Sequence, residues 1–158
     1  TGLINYAVTT SGDPDDVISS ESRSILPGTF YTLSAAGLDT VNNTALIVND
    51  RRRVPKRASL SITRLSPSSG LLDIYLLERG EGVSGFPIVQ SLADFASITI
   101  DLLPNELDIV LTAPGQTTPL FGPEPISLLQ NGLYSLVITD TEGGGVPVRV
   151  QFFDDFLN

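Results

Sequence analysis

Cysteine, methionine and histidine are all missing from this chain of 158 residues. Without cysteine there is no disulfide framework, so the redox compartment leaves no mark on the sequence. The joint absence of cysteine and methionine suits an exported protein exposed to oxidants. Without histidine the chain lacks the commonest general base and zinc ligand, and no Ser-His or Cys-His nucleophile can be assembled. No apolar run approaches the roughly 18–20 residues that cross a bilayer as a helix. The opening TGLINYAVTT has neither the basic n-region nor the apolar h-region of a signal peptide. With no initiator methionine, the chain is expected to be processed, trimmed or part of a longer product. Basic residues are scarce as well, nine against eighteen acids, for a net charge of −9. That balance disfavours nonspecific binding to nucleic acid or anionic lipid. Five of the nine bases crowd into RRRVPKR, as Arg51, Arg52, Arg53, Lys56 and Arg57.

What is present is a β pattern. The chain is 41% hydrophobic, enough to bury a core. Short alternating or β-branched runs are separated by Gly, Pro, Asn and Asp, at the spacing of an all-β sandwich. Strands are expected over 58–65, 71–77, 96–103, 106–113, 124–130, 133–140 and 146–155. In ELDIVLTA the acids Glu106 and Asp108 alternate with Leu107, Ile109 and Leu111, which predicts one wet face and one buried. Pro104-Asn105 and Asn131-Gly132 sit where tight turns belong. SLADFAS (91–97) is expected to make one helical turn and no more.

The chain also says one thing twice. ILPGTFYTL begins at Ile25 and LLQNGLYSL at Leu128, an offset of 103 residues. The same offset sets Thr9 on Thr112, Gly12 on Gly115, Tyr31 on Tyr134 and Leu33 on Leu136. With one inserted residue, TALIVND then falls on the end of VRVQFFDD, Asp50 opposite Asp154. A period near 100 residues indicates a duplicated domain rather than a solenoid. Residues 1–50 thus read as the C-terminal half of a first β-sandwich repeat, 51–57 as a basic linker and 58–158 as a complete repeat. A half sandwich cannot hide its own apolar face. It must be completed by upstream residues, by its neighbour, or by strand addition from a second copy.

At TRLSPSSGLLDIYL (63–76), IDLLPNELDIVLTAPG (100–115) and LLQNGLYSLVITD (128–140) the chain resembles the bacterial domain of unknown function 4397. The first copy supplies only the later pieces, YAVTTSGDP and ILPGTFYTLSAAG. Asn105 departs from the usual hairpin glycine, and ERGEGVSGFPIVQ (78–90) is irregular where a short turn is usual. The resemblance implies an immunoglobulin-like antiparallel β-sandwich, often tandem, in exported or lipid-anchored bacterial proteins. It implies no known reaction.

Several constellations carry chemical options. Asp13, Asp15 and Asp16 in SGDPDD are hard oxygen ligands and candidates for Ca²⁺, although the glycine and distal Glu of an EF-hand loop are missing. RRRVPKR has no interleaved aromatic residue for base stacking and reads as a solvated linker. Asp73, in mid-strand, needs a partner if buried, and Arg64 on the preceding strand is the expected one. Tyr31 and Tyr134 are expected in the core, each hydroxyl bonded to nearby backbone. EGGGVP (142–147) lacks the following helix of a phosphate loop and reads as a hairpin tip.

The expectation is therefore an extracytoplasmic binding or structural module, at the cell surface or secreted, with no catalytic residue and no cofactor. Its partner would be a protein or glycan at the cell surface, with membrane contact only through an anchor outside this chain. Two alternatives are a carboxylate-dependent hydrolase of polysaccharide or peptide and a self-assembly module, a homo-oligomer formed by strand addition. A hydrolase would need two acids converging in a cleft, one of them with its pKa raised by burial.

Overall fold

In the computed structural model, which describes residues 1–38 and 41–155, the chain is all β, with no helix among the described residues. It divides into two compact units, Thr1–Arg51 and Arg52–Asn158. The first contains β1 (Gly2–Thr9), β2 (Val17–Ile25), β3 (Phe30–Leu38) and β4 (Val41–Asn49). These pair as two antiparallel hairpins, β1–β2 and β3–β4.

The second unit contains β5 (Ala58–Leu65), β6 (Leu72–Glu78), β7 (Val89–Leu92), β8 (Ser97–Leu102), β9 (Asn105–Thr112), β10 (Pro119–Leu128), β11 (Leu133–Thr139) and β12 (Arg149–Asp154). They form two four-stranded sheets, ordered β10-β9-β6-β7 and β12-β11-β5-β8. Alternate residues from both sheets meet in one core: Ala58, Leu60 and Ile62 face Leu72, Ile74, Ile109 and Leu111, with Leu136 and Ile138 beside them. This is the expected β-sandwich. The period-two spacing of those residues puts them all on inward faces, and burying each leucine or isoleucine side chain contributes about 1.5–3 kcal/mol. One ladder departs from the antiparallel rule. β5 and β11 run parallel, Leu60 opposite Tyr134 and Ile62 opposite Leu136. The chain crosses from one sheet to the other between β10 and β11, so β11 reaches β5 without a hairpin to reverse it.

Four local expectations need correction. β7 falls in the irregular stretch 78–90 and its sequel, because four residues are too few for periodicity to reveal. Leu92 closes that strand in the core and Ser97 already opens β8, so SLADFAS makes a reverse turn, not a helical one. β9 has no simple wet face. From Asp108 to Thr112 it is buried on both sides. Its outer side, with Tyr75, Leu77 and Val110, is covered by Val83 from the 79–88 segment. β10 begins five residues before the expected Glu124, and its three prolines are tolerated because β10 is an edge strand.

The two doubled stretches share a device. Tyr31 Oη accepts the Leu26 amide at 3.0 Å, and Tyr134 Oη accepts the Leu129 amide at 2.8 Å. A left-handed residue precedes each strand, Gly28 at φ 73° and Asn131 at φ 62°. In the following hairpins the copies diverge. Tyr31 faces Val48 and Tyr134 faces Asp154, so the second hairpin holds three extra residues rather than one, and Val48, not Asp50, occupies the place of Asp154. Tyr134 is buried and stacked on Phe152, with centroids 5.3 Å apart, whereas Tyr31, expected in the core, is only half-buried.

That packing explains Gly132, where an added Cβ would lie 2.4 Å from Tyr134 Cε2. Gly132→Ala should cost about 1–3 kcal/mol by overpacking. Tyr134→Phe, which removes only the hydroxyl contact, should cost about 1 kcal/mol. Urea unfolding measures both. An unchanged midpoint for Gly132→Ala would mean that the ring is free to move aside.

Candidate functional site

The inward column of β5 runs Ala58, Leu60, Ile62 and then Arg64, so period two drives a guanidinium into the end of the core. Arg64 is 2% exposed. It cannot be left there unbonded. One Nη donates to Leu92 O of the opposite sheet at 3.2 Å; the other donates to Ser66 O at 2.6 Å and Ser69 Oγ at 3.2 Å. Nε is buried without a hydrogen-bond partner. Burial pulls the guanidinium pKa down, while the nearby charges of Asp94 and Asp140 hold it up. Asp140 in turn accepts the Ser66 hydroxyl and, at 3.4 Å, the Ser68 amide. Arg64 thereby clamps the two sheets and three loops together at one end of the sandwich.

The titration of Asp94, in the same cluster, is displaced upward. Burial, the largest cause, holds its pKa above the usual carboxylate range. The charge of Arg64 and the amides of Phe95 and Ser66 pull it back, and the negative charge of Asp140 pushes it further up. Two acids therefore approach one another beside a cation, each already accepting backbone amides.

The expected Arg64–Asp73 ion pair does not form. Arg64 points into the sandwich from one sheet, whereas Asp73 lies between the inward Leu72 and Ile74 and so points outward from the other. Asp73 is buried and accepts the Ser91 amide at 2.7 Å and the Gly115 amide at 2.9 Å. Asp108, on the same outer face, accepts the Gly80 amide at 3.0 Å. Each carboxylate pins a loop to the sheet. Sequence reasoning missed Ser66, Asp94 and Asp140. The available signal was the even-numbered position of Arg64 in its strand, which demands partners without saying where they come from.

Asp13, Asp15 and Asp16 form the β1–β2 turn. Asp13 accepts the Asp15 amide at 3.1 Å and Asp16 accepts the Thr10 hydroxyl at 2.6 Å. Among the described residues no group of three acids, histidines or cysteines is gathered as a metal-ligand set. The basic stretch is anchored at both ends. Arg51 lies 4.6 Å over the Phe30 ring. Lys56 N donates to Asn131 Oδ1 at 3.0 Å, and the Asn131 amide donates to Arg57 O at 2.7 Å.

Arg64→Lys keeps the charge but loses the planar fork that reaches two carbonyls at once. It should lower stability by about 1–3 kcal/mol, read from denaturant unfolding; no loss would mean that the fork is dispensable. The Asp94 proton is bound more tightly folded than unfolded. Its ionisation therefore costs stability at neutral pH, and stability is regained as pH falls through its raised pKa. In a carboxyl-carbon NMR titration, Asp94 should titrate above the ~3.9 of a free Asp, and Asp140→Asn should lower that midpoint. A midpoint at or below the free value contradicts the described environment.

No protein-family model and no curated protein matches the chain. Among solved structures, the C-terminal domain of AlgF from P. aeruginosa is similar to it over 63% of this chain and 98% of that one, with 14% identity and a TM-score of 0.45.

Proposed function

We propose that this chain is a non-catalytic β-sandwich module that works outside the cytoplasm, on the bacterial cell surface or in secreted form. The observation that carries the reading is the use made of its buried and half-buried charged groups. Asp73, Asp108 and Asp140 each accept backbone amides from loops, and Arg64 donates to backbone carbonyls. Such groups are spent on holding loops. With no histidine or cysteine in the chain, no imidazole base or thiol nucleophile stands beside them. The resemblance to the domain of unknown function 4397 supports an exported setting, as does the lack of oxidisable cysteine and methionine. Its partner on this reading is a surface protein or glycan, with no role for nucleic acid given the charge of −9.

One observation favours a second reading, a carboxylate-dependent hydrolase: the raised pKa of Asp94 beside Asp140. The two readings separate in one set of measurements on the protein produced from its own gene. Cell fractionation should recover it outside the cytoplasm, and a panel of polysaccharides and peptides should release no reducing ends or new amines above buffer. Recovery in the cytosol would overturn the location. Turnover abolished by Asp94→Asn, with the fold retained, would replace the module by the hydrolase.

A further inference from the structure

The two units are built alike up to a point. Gly2 faces Ile25 as Asn105 faces Leu128, Leu3 faces Ser24 as Glu106 faces Ser127, and Tyr6 faces Glu21 as Ile109 faces Glu124. Each pair is related to the other by adding 103, and so are the tyrosine–amide bonds that follow. Beyond these hairpins the units differ. β9 continues on its free side to β6, and β11 to β5. Among the described residues β1 and β3 have no second strand partner.

Burial records what is missing. Leu136 is 0% exposed and its counterpart Leu33 is 44% exposed, in the same place on the same kind of strand. Leu111 and Ile138 are buried, while their counterparts Val8 and Ala35 line a groove of ≈ 170 Å³ with Ile18 and Thr44. The strand edges point the same way. Edges in the second unit carry the usual guards: three prolines in β10, Arg149 and Asp154 in β12, Asp101 in β8, and a length of four residues in β7. β1 (GLINYAVT) and β3 (FYTLSAAGL) have neither charge nor proline. They have the composition of strands in the middle of a sheet.

We propose that β1 and β3 are acceptor strands, completed into a second sandwich by a segment homologous to residues 58–104 that precedes Thr1 in the same polypeptide. In the second unit, one continuous stretch supplies β5 to β8 ahead of β9, and the counterpart of β9 is β1. The edge of β3 corresponds to the edge of β11 that takes β5 in parallel. A second copy offering its own β3 to that edge, with both apolar faces kept on one side, would have to run antiparallel. The homologous segment fits both edges with the pairing already seen. This proposal is independent of the functional class proposed above.

Residues 1–158 contain no cysteine, so a thiol introduced among them is the only one in that stretch; any cysteine elsewhere in the full polypeptide is first replaced by serine. Leu33→Cys lies on the open face and Thr32→Cys on the opposite one; Val8→Cys reports on the other sheet and serves if Leu33→Cys does not fold. Maleimide labelling is compared in the full polypeptide encoded by the gene and in residues 1–158. In the full polypeptide, Leu33→Cys should react on the order of 100-fold more slowly than Thr32→Cys. In residues 1–158 the two should react within a few-fold of each other at every protein concentration. Fast labelling of Leu33→Cys in the full polypeptide overturns the proposal, and so does a gene product that starts at Thr1. Protection in residues 1–158 that grows with concentration overturns it in favour of a second copy.

Discussion

The double pairing of β5, to β11 on one side and β8 on the other, is the constraint on which the complete sandwich depends. It places Ala58, Leu60 and Ile62 against the facing sheet with no exposure at all. The same inward column delivers Arg64 to the end of the core, where a charge survives only by bonding whatever backbone is near. The end of β7 at Leu92 and the loops carrying Ser66, Asp94 and Asp140 are gathered by that need. The most chemical-looking place in the molecule is thus a consequence of strand periodicity.

The first unit shows the same constraint by its lack. Its first hairpin has the register of β9–β10, and its tyrosine bonds the same amide, yet its apolar face stays open because, among the described residues, no strand in the position of β5 lies along β3. The contrast between Leu33 and Leu136 isolates one physical term. Two leucines at matching places differ in burial, and the difference follows the second strand: Leu136 has Ile62 of β5 beside it, and Leu33 has only Leu46 of its own hairpin. Local bonds and turns fold a hairpin; area removed from water makes it a domain.

The outer face of β6 and β9 adds a second layer of economy. Asp73 and Asp108 sit among Tyr75, Leu77 and Val110, and each carboxylate draws a loop amide down over those side chains. A polar residue in a strand there is neither a wet-face residue nor half of an ion pair. It is an acceptor for loop amides that have no strand partner of their own.

Read alone, the sequence settled the class of fold, the alternation that sorts core from surface, most strands to within a few residues, and the backbone bonds of the matched tyrosines, though not the burial of Tyr31. Each of these follows from period two, turn residues and composition, which act over a few neighbours. It could not reveal the parallel β5–β11 ladder, the strand β7, the burial of Asp108 or the partners of Arg64 and Asp73. Those depend on which elements meet across tens of residues, Ser66 with Asp140 or Asp73 with Gly115. A buried charge declares in sequence that it needs a partner, but only the tertiary fold brings one within hydrogen-bond reach.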